Sequence, residues 1–472
     1  MAAEVTYLEL SEETGSHKFY EVTVNSCAMT IRYGRIGDNG NTSTKEFDTP
    51  QKARTEAEKK IKSKLKKGYE HAVMGVRKKR AITRRAISSK RSSAKSAPVL
   101  WKFATGSDAF GIFVDQRGCW AGNEAGRVFA LDHEGNVRNQ YKLPDGVKCI
   151  VSDQDWLYAG CDDGNVYDLT GKVPQVAYEI AEDVDIYWLD IYDGILGVAD
   201  EDGGLTVVNH EDESQWSATS NGTSGWMVRC DEIGVYHGHS NGVTMYDWED
   251  GSRIWHRKTE GEVLFGWQEE SAVYVGTTCD KVIQVSKKGK RGVVCDCDDT
   301  VYSCAATEDG KFIFAGDSSS SVYCFDANGK RLWKLATGCG SAYSMQYFEQ
   351  RLYLVTTNGS LTCIDASEKA IEEAKEGKVP KPKSIKAPST SGAARVGQVV
   401  TTSNTSKGVL LECYKQGSKL RVRALSEGYQ KKWNVQFPKN LREEGARFVV
   451  DELRESARGG FYRAYGEIKK VR

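Results

Sequence analysis

The chain has 472 residues, 39% of them hydrophobic, and its 65 Lys and Arg balance its 65 Asp and Glu. This length exceeds one ordinary hydrophobic core, so two or three domains are expected. No run of 18 apolar residues occurs and the first residues, MAAEVTYLELSEE, are acidic, so we expect neither a membrane span nor a secretory signal. The thirteen scattered Cys favour reduced thiols in an intracellular protein, nuclear in a eukaryotic host and cytoplasmic otherwise.

The zero net charge hides a strong partition along the chain. Residues 1–98 carry 21 Lys and Arg against 11 Asp and Glu, residues 99–374 carry 22 against 45, and residues 375–472 carry 22 against 9. The three segments therefore have net charges of +10, −23 and +13. Such asymmetry predicts different partners for different segments, or segments that neutralise one another.

Residues 1–75 have the pattern of a small α+β domain. TYLEL, KFYEVTV, MTIRYGRI and TSTKEF predict four short antiparallel strands. A helix follows, with Thr49 as its N-cap, Pro50 at its first position and Gly68 just past its end. One apolar stripe recurs every four residues along this helix, at Ala53, Ala57, Ile61 and Leu65.

The segments KFYEV, TIRYGRIGDNG, KEFDTP and KLKKGYE, in this order, resemble the WGR domain, a module of poly(ADP-ribose) polymerases and of some bacterial proteins that lack a polymerase. The resemblance covers about residues 4–73, and no part of the chain resembles the polymerase catalytic domain. The Trp-Gly-Arg triplet of the family stands here as Tyr33-Gly34-Arg35. In the polymerases the Trp packs on the terminal nucleotide of a DNA end. The resemblance implies that Tyr33 takes this role and that Arg35 contacts phosphate or a neighbouring domain.

Tyr in place of Trp keeps a π-face for stacking on a base or sugar but offers less area, so weaker binding is expected. The alternative is that Tyr33 fills the core of its own small sheet. Lys45, on the predicted strand that follows, is a further candidate for contact with nucleic acid.

Residues 76–98 predict a basic, flexible linker, because Ser and Ala separate clusters of cations. These clusters are a nuclear-import signal, a phosphate-binding arm or a solubilising tether. The candidate nucleic-acid contacts in this segment are Lys78, Lys79, Arg80, Arg84 and Arg85.

Residues 99–374 contain seven repeats of about 39 residues, which predict a seven-bladed β-propeller. One column of the repeat, mostly Gly, holds Gly122, Gly160, Ala199, Gly238, Gly276, Gly316 and Val355. A second column, mostly aromatic, holds Trp101, Tyr141, Tyr178, Trp216, Trp255, Val294 and Trp333. The second column starts one strand earlier than the first, so we expect the strand around Trp101 to complete the last blade and close the ring.

The repeat core, as in YAGCDDGNVYDL, resembles the quinoprotein-type propeller repeat, whose enzymes bind pyrroloquinoline quinone. The resemblance concerns architecture, and we expect no cofactor and no catalytic residue here. His237 with His239, and Cys295 with Cys297, would each face one side of a strand, but neither pair has a second pair at ligand spacing, so no metal site is predicted.

Acidic turns are the more informative feature of the propeller segment, because the loops of such domains bind partners. They predict a protein partner on an acidic face, and a basic partner in cis or in trans would be complementary. The clusters are Asp162-Asp163, Asp200-Glu201-Asp202, Glu211-Asp212-Glu213 and Asp296-Asp298-Asp299.

Residues 375–395 predict a Lys, Pro and Ser-rich linker, and residues 396–472 predict a small α+β domain. In that domain a capping box of Asn440 and Glu443 predicts a helix over residues 441–457. Cations interleave with aromatic residues there, which is typical of a surface that binds nucleic acid or an acidic partner, or of aromatic residues that pack in the core. The cations are Arg421, Arg423, Lys431, Lys432, Arg458 and Arg463.

Taken together, these patterns favour a multidomain, mainly β protein that acts as a non-catalytic adaptor. The WGR-like domain and the basic arms would contact nucleic acid, DNA rather than RNA, while the acidic propeller binds a protein. The alternative is a pure protein-interaction scaffold whose basic domains dock on the acidic propeller. A propeller enzyme is the third hypothesis, and no nucleophile–base pair or phosphate loop supports it.

Overall fold

The computed structural model describes residues 4–11, 17–35, 41–72, 90–180, 186–200, 202–220, 222–397, 399–405, 407–417 and 419–472. Two compact units are distinguished, Met1–Arg84 with Ile180–Asp185, and Arg85–Glu179 with Ile186–Arg472. Neither α-helix in the described residues is long and apolar enough to cross a lipid bilayer.

The first unit is an antiparallel five-stranded sheet with one helix packed on it. The strands are Glu4–Ser11, His17–Asn25, Ala28–Arg35, Asn41–Glu46 and Glu70–His71, and their spatial order is fourth, third, second, first, fifth. The helix Pro50–Leu65 begins at Thr49, whose side chain accepts a hydrogen bond from the Lys52 amide. Ala53 and Ala57 on its apolar stripe are buried on the sheet. The predicted strands, helix and cap are confirmed.

The second unit contains, in the described part of the chain, seven sheets of the predicted propeller. Each of the first six is built from four consecutive strands, and the inner strands of neighbouring sheets contact one another around the ring. From the inner strand outward, blade 1 consists of Ala109–Asp115, Gly118–Asn123, Arg127–Leu131 and Val137–Lys142. Blade 2 consists of Val147–Asp153, Trp156–Cys161, Asn165–Asp168 and Gln175–Glu179. Blade 3 consists of Ile186–Tyr192, Ile195–Asp200, Gly204–Val208 and Ser214–Thr219. Blade 4 consists of Met227–Cys230, Val235–His239, Gly242–Tyr246 and Arg253–Arg257. Blade 5 consists of Val263–Gln268, Ala272–Thr277, Lys281–Ser286 and Arg291–Asp296. Blade 6 consists of Val301–Ala306, Phe312–Asp317, Ser321–Asp326 and Arg331–Ala336.

The seventh blade confirms the predicted closure of the ring. Its strands Ala342–Phe348, Arg351–Thr356 and Ser360–Asp365 are followed outward by Val99–Ala104, which pairs antiparallel with the third of them. The chain thus begins and ends the propeller in one sheet. After the helix Glu368–Lys375, the strand Lys383–Lys386 pairs parallel with Val99–Ala104, and Ala394–Arg395 pairs with the outer strand of blade 1.

Both columns of the repeat hold neighbouring blades together. A Cβ at Gly122 would lie 2.4 Å from Cγ1 of Val147 in the next blade, so the small residue permits close packing. In the aromatic column, the indole of Trp101 donates to the carbonyl of His133 at 2.9 Å, which ties blade 7 to blade 1. Trp216 and Trp255 make the same bond, each 32 residues ahead, to Trp248 and Lys287.

The C-terminal part of the second unit is a sheet, and the helix predicted over residues 441–457 is wrong. After a 3-10 turn at Lys439–Leu441 the chain forms the strand Arg447–Glu455. Gly445 between them has φ +80, a conformation that ends a helix. The strand Arg447–Glu455 pairs with a neighbouring strand on each side. These backbone hydrogen bonds outweigh the tendency of Asn440 and Glu443 to cap a helix. The other strands are Thr401–Thr402, Val409–Gln416, Lys419–Ala424, Asn434–Gln436 and Phe461–Val471.

Candidate nucleic-acid interface

Tyr33 lies at the surface of the first unit. It stands directly opposite Tyr20 in the sheet, with ring centroids 6.3 Å apart. Tyr20 is 7% exposed and belongs to the core, whereas Tyr33 is 45% exposed because only the exposed strand Asn41–Glu46 follows it in the sheet. The ring of Tyr33 therefore presents a face to solvent and does not fill the core of the sheet.

A second feature of this face is Lys64, in the last turn of the helix. Its Nζ lies 4.4 Å from the ring centroid of Tyr20 and 4.9 Å from that of Tyr69. The Tyr69 ring packs edge-on against Tyr20, with centroids 6.4 Å apart. An ammonium held over two aromatic rings is a favourable cation–π arrangement. Lys64 thus lies over two buried tyrosine rings, and one of them, Tyr20, adjoins the exposed ring of Tyr33.

The ammonium groups of two further lysines lie close enough to Lys64 to affect its pKa. Burial, and then the charges of Lys67 and Lys18, lower the pKa of Lys64. Within the described residues, none of the three lysines forms an ion pair, whereas Arg32 on the opposite face of the sheet pairs with Glu21 at 3.1 Å. We call the exposed ring of Tyr33 and the lysines Lys18, Lys64 and Lys67, together with the buried rings of Tyr20 and Tyr69 that Lys64 lies over, the tyrosine–lysine surface.

The chemistry of this surface suits a polynucleotide. An exposed aromatic face can stack on a base or sugar, and clustered ammonium groups can contact phosphate oxygens. Neither role requires a metal or a nucleophile. The exposed ring and the lysines are therefore groups of the kind that contact a strand.

The other sequence-predicted contacts lie elsewhere or outside the described residues. Lys45 is exposed on the strand Asn41–Glu46, with its Nζ 5.2 Å from the Phe47 ring centroid. It is four residues from Asn41, the partner of Tyr33 in the sheet, which is about 13 Å along a strand. Arg35 ends its strand opposite Lys18, and its side chain lies outside the described residues. So do Lys78, Lys79, Arg80, Arg84 and Arg85.

Lys18 and Lys64 were missed by reasoning from the sequence. A signal for Lys64 exists, because it follows Ile61 by three residues and Ala57 by seven, which places it on the apolar stripe. A charged residue on such a stripe lies beside the core. No comparable signal marks Lys18, which is brought into place by the pairing of the strands.

In the second unit, one of the predicted acidic turns binds the C-terminal sheet. Lys419 pairs with Glu213 at 2.6 Å, and Arg421 pairs with Glu211 at 2.8 Å. Lys439 also pairs with Asp212 of the same turn, at 2.7 Å. The turn therefore has a basic partner in cis.

A buried ion pair lies at the centre of this contact. The guanidinium of Arg463 bonds to the carboxylate of Asp153 at the end of the inner strand of blade 2. Beside it, Arg458 lies 3.1 Å from the Trp248 ring centroid, over a turn of blade 4. Three of the six cations considered for nucleic acid, Arg421, Arg458 and Arg463, are thus used to hold the C-terminal sheet on the propeller.

The two metal-ligand pairs considered from the sequence are buried. His237 and His239 have ring centroids 5.4 Å apart, and burial lowers the pKa of His237 to about 3 and that of His239 to about 4. Burial likewise raises the pKa of Cys295 to about 12. Among the described residues, no group of three or more His, Cys, Asp or Glu is placed to hold a metal ion.

Comparison with known proteins places a WGR domain at residues 4–76, where the family model of that name matches. A curated relative, "Uncharacterized protein YfeS" of Escherichia coli (strain K12), is 38% identical over 55 residues. That alignment covers 12% of this chain and 22% of the relative, so the chain spans about a fifth of the relative's length.

Two solved structures are similar in fold to the larger part of the chain. They are the computationally designed Ika8 protein and the WD40 β-propeller domain of Doa1, each with 12% sequence identity and a TM-score of 0.47. The first likeness covers 57% of this chain and the second 59%, with 99% of each solved chain.

Proposed function

We propose that the protein is a non-catalytic nucleic-acid-binding adaptor, in which the WGR domain contacts DNA at ends or nicks and the acidic propeller binds a protein partner. The observation that supports the nucleic-acid half is the exposed ring of Tyr33 beside three unpaired lysines of the described chain. The family resemblance independently gives Tyr33 the position of the residue that packs on a terminal nucleotide. The basic segment before the propeller would add phosphate contacts.

The experiment is an electrophoretic mobility shift with the full chain and three duplexes, nicked, blunt and 5′-phosphorylated. Affinity should fall with salt, because each phosphate contact releases counterions. Contacts from Lys18, Lys64 and Lys67 alone give a slope of about −3 in log affinity against log salt. Absence of binding at 50 mM salt would contradict the nucleic-acid half of the proposal.

The second candidate function, a protein-interaction scaffold, is favoured by the ion pairs between the C-terminal sheet and the propeller. There the basic segments would serve mainly to neutralise the acidic ring. Limited trypsin digestion discriminates between the two functions. A docked N-terminal arm should resist cleavage between residues 77 and 91, and nucleic acid should leave the pattern unchanged. Protection that develops only when DNA is added supports the adaptor.

A further inference from the structure

Two blades of the propeller carry a fifth strand that comes from the segment after the ring. Lys383–Lys386 pairs parallel with the outer strand of blade 7, and Ala394–Arg395 pairs parallel with that of blade 1. Addition of an extended segment to a sheet edge is a recurring mode of peptide recognition, because an edge strand offers unpaired backbone N–H and C=O groups. The chain therefore shows on itself how an extended segment fits the rim of this propeller.

Ile385 supplies the apolar contact of the added strand on blade 7. It lies opposite Phe103, two residues after Trp101 in the outer strand. A Cβ on Gly135, in a turn of blade 1, would lie 2.5 Å from Cδ1 of Ile385 and 3.0 Å from Cδ2 of Trp101. The isoleucine and the indole therefore both pack against this glycine. Backbone pairing and one aliphatic side chain beside the tryptophan of the repeat hold the segment in place.

Blade 3 has the same arrangement at an edge that carries no added strand. Trp216 of its outer strand, Ser214–Thr219, donates from its indole to a turn of the next blade, as Trp101 does. A Cβ on Gly251, in that turn, would lie 2.6 Å from Cδ2 of Trp216. Among the residues that the structure describes, no strand pairs with the outer side of Ser214–Thr219, and four of its six residues are exposed. An extended segment can therefore add to blade 3 as Lys383–Lys386 adds to blade 7.

The residue two positions after the tryptophan lines the place of the added side chain. In blade 7 this residue is Phe103, opposite Ile385. In blade 3 it is Ala218, which is small and only partly buried. In blade 4 it is Arg257, whose Nε donates to the carbonyl of Gly289 at 2.8 Å and so occupies the corresponding place. The site is therefore open at blade 3 and filled at blade 4.

The turns of the neighbouring blade differ in charge between these two sites. The turn beside the outer strand of blade 3 contains Glu249 and Asp250, both exposed. The turn at the same place beside blade 4 contains Lys287 and Lys288. Because the added strand Lys383–Lys386 has an exposed lysine at each end, a segment of the same kind is complementary in charge to the turn beside blade 3 and not to that beside blade 4.

We propose that the outer strand of blade 3 binds an extended, basic segment of a partner protein as a fifth, parallel strand, with one aliphatic residue opposite Ala218. The aliphatic side chain takes the place beside Trp216 and Gly251 that Ile385 takes beside Trp101 and Gly135. Cations on either side of it are attracted by the acidic turn. This inference rests on the partner half of the proposed function and not on its nucleic-acid half.

The test is fluorescence anisotropy with the full chain and a labelled peptide that has the sequence of residues 381–388, KPKSIKAP. The peptide should bind. Ser in place of its isoleucine should weaken binding at least about tenfold, because the burial of one aliphatic side chain is lost. Glu in place of each lysine should also weaken binding, because the peptide is then repelled by the acidic turn.

Ala218→Arg copies the arrangement of blade 4 and should lower the affinity for the peptide at least about tenfold, because the new side chain takes the place of the isoleucine. Glu249→Gln with Asp250→Asn should lower it about threefold through loss of charge attraction. Ser217→Arg is the matched control. Its side chain lies on the other face of the same strand, so the affinity should stay within about twofold. Equal melting temperatures of all variants would show that they fold alike.

Equal affinity of the peptide for the unchanged chain and for Ala218→Arg would overturn the proposal, because the peptide would then bind elsewhere, for example at blade 7. No binding by the unchanged chain would overturn the site at blade 3. Sedimentation of the chain alone provides a further outcome: a dimer that Ala218→Arg converts to a monomer would show that a second copy occupies the edge, and a different partner is then overturned. DNA affinity should be the same for all these variants, so a failure of peptide binding is distinguished from a failure of nucleic-acid binding.

Discussion

Arg463 of the C-terminal sheet and Asp153 of the propeller form an ion pair whose side chains are only 1% and 3% exposed. The carboxylate also accepts the amides of Asp193 and Gly194, at 2.9 and 2.6 Å. It thereby joins the second and third blades to the C-terminal sheet. A buried charge that loses its partner is strongly destabilising, so this pair should hold the sheet in place.

Arg463→Met should lower the free energy of unfolding by about 3–5 kcal/mol, because it leaves Asp153 buried and unpaired. Chemical denaturation of the full chain measures this. Lys172→Gln is the matched control, since its pair with Glu467 is exposed and should contribute under about 1 kcal/mol. Equal losses for the two variants would show that the buried pair does not anchor the sheet.

Closure of the ring should depend on Trp101, which is 3% exposed and bonds blade 7 to blade 1. Trp101→Ala should cost about 3–5 kcal/mol, and deletion of residues 99–104 should lower the melting temperature steeply. Leu100→Ala, at the partly buried neighbour, should cost less. A melting temperature that did not change after the deletion would refute closure of the ring by the strand Val99–Ala104.

Acid should weaken the contact between the C-terminal sheet and the propeller through His210 of blade 3. The imidazole of His210 stacks on the ring of Phe461 in the C-terminal sheet, with ring centroids 3.9 Å apart. Burial lowers the pKa of His210 to about 4, so the native state binds fewer protons than the unfolded chain between about pH 6.5 and 4. Stability is therefore full above pH 6.5 and falls through this window, by about 1.4 kcal/mol per pH unit for this group.

His210→Phe keeps the stacked ring and removes the proton, so its stability should vary less between pH 7 and 5 than that of the unchanged chain. Denaturation midpoints at the two pH values provide the comparison. Because His237 and His239 are also buried and have lowered pKa values, part of the acid sensitivity should persist. If His210→Phe and the unchanged chain showed the same pH dependence of stability, His210 would be excluded as a source of the acid sensitivity.

Lys64→Gln should weaken DNA binding to nicked and blunt duplexes alike and reduce the salt slope by about 1, as expected for a phosphate contact. The control is Lys52→Gln on the same helix, because Lys52 already pairs with Asp48 at 2.6 Å. A slope that changes equally in both variants would indicate a diffuse electrostatic effect and no specific role for Lys64.

Periodicity predicted the regular parts of this molecule well. The column at Gly122 and the offset of Trp101 specify seven blades and their closure, because close packing between blades admits few residue types at those places. The helix predicted from the capping box at Asn440 is wrong, because Arg447–Glu455 pairs as a strand with two others. A local pattern does not reveal such pairing. The place of Lys18 in the surface, and the partner of Arg463, likewise depend on long-range pairing that no local pattern reveals.

The most direct test of the account compares Tyr33→Ala with Tyr33→Trp in the full chain, as affinity for a 5′-phosphorylated nicked duplex at fixed salt. Stacking on one base is worth about 1–3 kcal/mol, so Tyr33→Ala should lose at least about fivefold in affinity, while Tyr33→Trp should bind as tightly as the unchanged chain or more tightly. Equal affinities for all three proteins would contradict a nucleic-acid contact at Tyr33.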